Sequence, residues 1–421
     1  GAGWAGNPAE GSLDEGSGLP AGGPATPPVA AAATPASSPG AVSDGYTVAA
    51  YYFPSYHPNP GYDRDYGKGF TEWALVRAAR PRFEGHDQPK EPLWGYDDES
   101  DSVRMAVRID AAADHGVDVL LFDWYWHEGT GPDLHQALEQ GFWRAPNSGR
   151  VLFALMWANH DWYHIHPARA SREHPLLHRG RVSAETFRTL TDHVIRTYMS
   201  RPNYWRVKGG AYFSIYELMT LVDGLGGVLQ TRAALDDFRR RAEEAGVGAV
   251  HLNAVMWGVK VLPGEQAVKK PEELLAALGI DSVTSYCWIH HVYPETFPAA
   301  DYRSWMEASI AQWPKFERQW PVPYFPNVSM GWDASPRTDQ AALFEAIGYP
   351  FTPVITGNTP ELFRQALASA RAFLGGRPPE ERIVTINAWN EWTEGSYLEP
   401  DTRHGMAYLE AVRSVFGRGQ R

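Results

Sequence analysis

Glu391 and Glu394 stand three residues apart in I-V-T-I-N-A-W-N-E-W-T-E-G, residues 383–395, among Asn387, Trp389, Asn390 and Trp392. Two neighbouring carboxyl groups can divide acid and base work, because different surroundings give them different proton affinities. Indole faces beside them suit the apolar face of a sugar ring, and the amides suit its hydroxyls. The alternative is a pair of solvated loop acids. Two Asn and two Trp within six residues argue against it.

The positioning element begins as a strand. Ile383, Val384 and Ile386 supply β-branched bulk, and the run turns polar at its C-terminal end. Catalytic groups on an α/β barrel stand at such strand ends. Eight strand-like runs occur, over residues 47–54, 117–126, 151–159, 211–216, 249–257, 282–288, 322–332 and 383–392. They are near-continuously apolar, as parallel strands covered on both sides should be. Helical patterns fall between them at 103–115, 183–200, 231–245, 271–278, 360–374 and 406–416. Ser183 can cap, Pro271 and Pro360 suit first turns, and Gly116 and Gly246 suit helix exits. The alternation predicts a (β/α)8 barrel with a long first βα loop.

Most of the predicted strands end in aromatic and polar residues, and these form the rest of the candidate site. Strand one leads into Tyr52 and His57, strand two ends in Asp123, Trp124 and Trp126, and strand three in Trp157 and Asn159. Strands five, six and seven end in Trp257, Trp288, and Trp332 with Asp333. The loop 55–100 adds Glu72 and Trp73 within G-K-G-F-T-E-W. Glu72 has two readings: a partner for sugar hydroxyls, or one for Lys68 or a loop arginine. No H-E-x-x-H, G-x-S-x-G, G-x-x-x-x-G-K-[ST] or G-x-G-x-x-G occurs, so metal, cofactor, serine-hydrolase and nucleotide readings have no support.

The net charge of −12 argues against nucleic acid and anionic membrane surfaces as partners. The aromatic excess, 17 Trp, 20 Tyr and 17 Phe, favours a carbohydrate. A lone cysteine, Cys287, rules out an internal disulfide. No run is long and apolar enough to span a membrane, and a monomer is expected. Residues 1–44 are rich in Gly, Ala, Pro and Ser and contain no Lys, Arg, Ile, Phe, Tyr or Met, so a disordered tail is expected before a catalytic domain at 45–421. The tail and the missing initiator Met suggest a processed, secreted or surface-tethered protein; a cytoplasmic one is the alternative. Deleting residues 1–44 should leave Tm within about a degree and activity unchanged. A loss of several degrees in a calorimetric scan would show that the tail packs.

Y-Y-F-P-S-Y-H-P, G-K-G-F-T-E-W, F-D-W-Y-W, W-A-N, G-W-D-A-S-P-R and N-A-W-N-E-W-T-E-G-S-Y-L-E-P, in this order, resemble the WbsX-type group, itself similar to glycoside hydrolase family 99. The resemblance covers residues 46–416 and implies a (β/α)8 barrel. It also implies retaining, endo-type cleavage of α-mannosidic linkages by an E-x-x-E pair. By that resemblance Glu391 deprotonates the sugar's 2-hydroxyl, which displaces the leaving group to give a 1,2-anhydro sugar. Glu394 protonates the leaving oxygen and then activates water, which requires a raised proton affinity at Glu394. The third strand departs from the group's W-A-N-E-N-W, reading Trp157-Ala158-Asn159-His160-Asp161-Trp162. That leaves the substrate at this position open. So do two other readings: a glycosyltransferase or transglycosylase of surface polysaccharide synthesis, and a non-catalytic carbohydrate-binding barrel.

Overall fold

The computed structural model describes residues 44–171 and 173–418. The expected tail lies outside them, apart from Asp44, which ion-pairs with Arg371. Parallel strands β1 (Thr47–Tyr52), β2 (Val119–His127), β3 (Leu152–Trp157), β4 (Gly210–Ile215), β5 (Val250–Val255) and β6 (Ser282–Thr284) follow one another around the barrel. The seventh position is split into β7 (Tyr324–Phe325) and β8 (Asn327–Ser329), and β9 (Ile383–Asn387) is the last.

The split lies at Pro326, which has no N–H to give to a ladder. On one side β7 pairs with β6; on the other β8 pairs with β9. Closure is completed by β9 beside β1, with Thr47 opposite Ile383 and Ala50 opposite Ile386. The parallel strands are buried, and helices cover them from outside, as parallel sheets require.

Most of the helices fall where the sequence places them. Ser102–Asp114 begins at Asp101, whose carboxylate accepts from the backbone of Val103 and Arg104. Ala184–His193 begins at Ser183, which accepts from Thr186. Pro271–Leu278 and Pro360–Leu374 start on their prolines as predicted. Leu218–Leu225, Tyr302–Ile310 and Trp313–Gln319 are helices that the pattern did not predict. The first βα loop carries two short helices, Pro60–Tyr66 and Trp73–Ala78. No helix among the described residues is long and apolar enough to cross a membrane.

Candidate active site

Beyond β9 the chain places Asn390–Glu391 beside Ser396–Tyr397 as a short antiparallel pair. A tight helical turn, Trp392–Glu394, lies between them. Gly395 closes that turn at φ +67, and a Cβ there would come within 2.7 Å of Asp333. Only glycine combines that backbone with that approach. Asn390 fixes the entry, accepting from the Phe53 amide at 2.7 Å and donating to the Phe53 carbonyl at 2.8 Å. Glu391 and Glu394 are thereby held on the wall of one cleft, whose empty space, including the part open to solvent, is about 760 Å³.

The guanidinium of Arg337 organises the two carboxyls. Its Nη1 is 3.0 Å from Glu394 Oε2 and its Nη2 is 3.6 Å from Glu391 Oε2. Its Nε donates to Glu72 at 3.0 Å and to Thr393 Oγ1 at 2.9 Å. Tyr349 donates to Glu394 Oε2 at 2.8 Å. Glu72 is therefore a buried partner of an arginine, and that arginine follows the seventh strand rather than lying in the first loop. Burial alone would raise Glu72; Arg337, His166 and neighbouring hydroxyls overcome this and hold its carboxyl below the usual range. Glu391 goes the other way. Burial first, and then the charge of Glu394, push it well above the ordinary carboxylate range.

Asp123 shares the cleft wall with this pair, and Tyr286 stands between Asp123 and Glu391. Tyr62, Tyr66, Tyr125 and Trp162 supply its aromatic surface. His160 and Asp161, at the third-strand departure, also face it. Burial lowers His160 and takes His166 to about 4, so both rings are neutral near pH 7.

Most of the other predicted site residues stand behind the wall. Successive side chains of a strand point to opposite faces. On β2, Asp123 and Tyr125 therefore face the cleft, while Trp124 donates to Tyr198 in the helical layer at 3.1 Å and Trp126 packs beside it. Trp157 packs against Phe187 and Phe213, and Trp288 donates to the Asn327 carbonyl at 2.7 Å. Trp257 packs on Tyr216 and His290, and Trp332 donates to Thr352 at 2.9 Å. Trp389 is fully buried; Trp392 is sandwiched by Tyr397 and Trp73, and Trp73 donates to the Asp97 carbonyl. Apart from Trp126, which is half-buried against the core, these indoles are core, not platforms.

The polar residues in this second layer brace loops. Tyr52 and His57 both bond Glu99, at 2.8 and 2.7 Å. Asn159 pairs with the Glu217 backbone, and the Asn387 carbonyl accepts from Ser396. Asp333 accepts from His86 at 2.7 Å and Gln88 at 2.9 Å and lines a separate cavity. Cys287 is buried, and burial pushes its thiol up to about 12. No cluster able to hold a metal ion occurs among the described residues.

A closed parallel barrel with paired carboxyls at its C-terminal mouth places the chain in the architectural class of the (β/α)8 barrels. More particularly, the chain belongs to the family described as Glycosyltransferase WbsX, whose model matches residues 48–412. The uncharacterized protein WxcX of Xanthomonas campestris pv. campestris is 32% identical over 380 residues, covering 88% of this chain and 50% of that protein. The chain thus spans about half the length of the curated relatives it matches. Among solved structures, a glycoside hydrolase-like protein superposes with TM-score 0.55 at 14% identity, covering 89% of this chain and 94% of the other. The GH99 endo-alpha-mannosidase from Bacteroides thetaiotaomicron gives 0.52 at 14% identity, covering 89% and 97%. At that identity these likenesses establish the fold.

Proposed function

We propose that the chain is a retaining glycoside hydrolase acting within α-linked, manno-configured polysaccharide. The observation that supports this best is the placement of Glu391 and Glu394 on one buried guanidinium in an aromatic cleft. Glu391 takes the proton of the sugar's 2-hydroxyl, whose oxygen attacks the anomeric carbon, while Glu394 gives its proton to the departing oxygen. Negative charge therefore leaves Glu391 and appears on Glu394. Arg337, 3.6 Å from the first and 3.0 Å from the second, favours that transfer. Interactions that strengthen as charge develops are the ones that lower a barrier. Water then reverses both transfers. An α-linked sugar satisfies this route when its 2-hydroxyl is axial, anti to the leaving group.

The family description raises glycosyl transfer as a second reading. The cleft offers one arginine and no lysine among the described residues, and that arginine is engaged by Glu72, Glu391 and Glu394. A nucleotide diphosphate would find little to bind. The discriminating experiment exposes purified protein to α-mannans and bacterial surface polysaccharides and measures new reducing ends. Reducing ends that disappear in Glu391→Gln and Glu394→Gln support the hydrolase; turnover of a nucleotide sugar without them overturns it.

A further inference from the structure

The reaction above leaves Asp123 and Tyr286 unused, although both face the reacting pair. Tyr286 Oη lies 2.7 Å from Asp123 Oδ2 and 2.7 Å from Glu391 Oε1. A phenol carries one proton and can donate it to only one of two carboxyls. With both carboxyls ionised, one contact would set an anion against a hydroxyl lone pair in a buried site, which is costly. A second proton must therefore reside on Asp123 or Glu391. Arg337 lies beside Glu391. Asp123 Oδ1 and Glu391 Oε2 are both buried without a hydrogen-bond partner, but Asp123 forms no ion pair among the described residues. The charge is better placed next to the guanidinium, and the proton on Asp123.

We propose that Asp123 is a neutral carboxylic acid that donates to Tyr286, which in turn donates to Glu391 and keeps it ionised as the base. This rests on the reading of Glu391 as the base, and it makes Asp123 and Tyr286 positioning residues. No proton is lost or gained in the chain: when Glu391 accepts the substrate's proton, Asp123 and Tyr286 keep theirs. The remaining groups facing the chain do not supply the missing proton. Tyr51, Tyr56 and Tyr125 are raised by burial and stay neutral. Glu72 and Glu394 are engaged by Arg337. Burial and the charge of Glu394 push both Asp123 and Glu391 above the ordinary carboxylate range, so it is the guanidinium 3.6 Å from Glu391 that places the remaining charge there.

Two tests need no substrate. The infrared spectrum at pH 7 should contain the C=O stretch of a protonated carboxylic acid that vanishes in Asp123→Asn and shifts in Tyr286→Phe; its absence from the unmodified protein overturns the proposal. The second test is stability. A folded-state proton affinity above the unfolded one favours folding below about pH 4, and that contribution is lost as pH rises. Asn carries no such dependence, so Tm of Asp123→Asn relative to the unmodified protein should climb between pH 4 and 8 (roughly the window from the aspartate reference upward). A relative Tm that falls means an ionised Asp123. On a cleaved polysaccharide, Tyr286→Phe should move the acid limb of kcat/KM to higher pH. An equal loss at every pH would mean that Tyr286 only packs. If no polysaccharide is cleaved while the infrared band is present, the hydrolase reading fails and the proton placement stands.

Discussion

Glu391→Gln should lose most activity, by ~10²–10⁴-fold, the usual contribution of a positioned acid or base. It should also remain folded. Gln keeps the shape of the side chain and can still accept from Tyr286, and it removes a carboxyl whose charged form burial disfavours. The informative measurement is rescue. A substrate with a good leaving group should partly restore Glu394→Gln, which has lost the donor to the leaving oxygen. It should not restore Glu391→Gln, which has lost the group that makes the nucleophile. Substrates with a 2-deoxy or 2-fluoro sugar should bind and remain intact. Trapping a glycosyl ester on Glu391 by mass spectrometry would instead make Glu391 the nucleophile, and the intermediate an ordinary covalent one.

Arg337→Met should be the most damaging change to the folded state. The guanidinium is 7% exposed and is shared by Glu72, Glu391 and Glu394. Removing one partner of a buried ion pair leaves charge uncompensated, at a cost of roughly 3–5 kcal/mol. The measurement is the free energy of unfolding in urea, and a loss under about 1 kcal/mol would contradict the role given to Arg337. The pH dependence has a definite sign. Glu72 has a folded-state affinity depressed by Arg337, against its burial. Stability from that pairing is present above the ordinary glutamate range and disappears as pH falls through the depressed value. The gap between variant and unmodified protein should therefore be widest near neutrality and narrow in acid.

The barrel was legible because parallel strands must be apolar on both faces, and their runs stand out. All eight strand positions lie where the apolar runs are, with the seventh divided by Pro326 in a way that hydrophobicity alone does not reveal. The tryptophans were harder. W-Y-W on β2 reads as a platform, but strand alternation gives the cleft Asp123 and Tyr125 and sends Trp124 and Trp126 outward. Applying that period to each strand end would have separated core from rim. Arg337 and Tyr286 went unselected for another reason. Each acts through partners more than fifty residues away, and no local spacing records such a meeting. For Arg337, the motif G-W-D-A-S-P-R was the available signal.

The pairing of β1 with β9 has a consequence for how the molecule is made. The first strand leaves the ribosome more than three hundred residues before its partner: Thr47 waits for Ile383, and the Phe53 backbone waits for Asn390. Until then one edge of β1 is an unsatisfied ladder, and open edges of this kind invite pairing with other chains. Non-local pairing also slows closure, since loop entropy must be overcome before the contacts form. The segment that supplies Glu391 and Glu394 is thus also the one that ends the nascent chain's exposure. Chains truncated before Ile383 should be aggregation-prone, because β1 then lacks its partner.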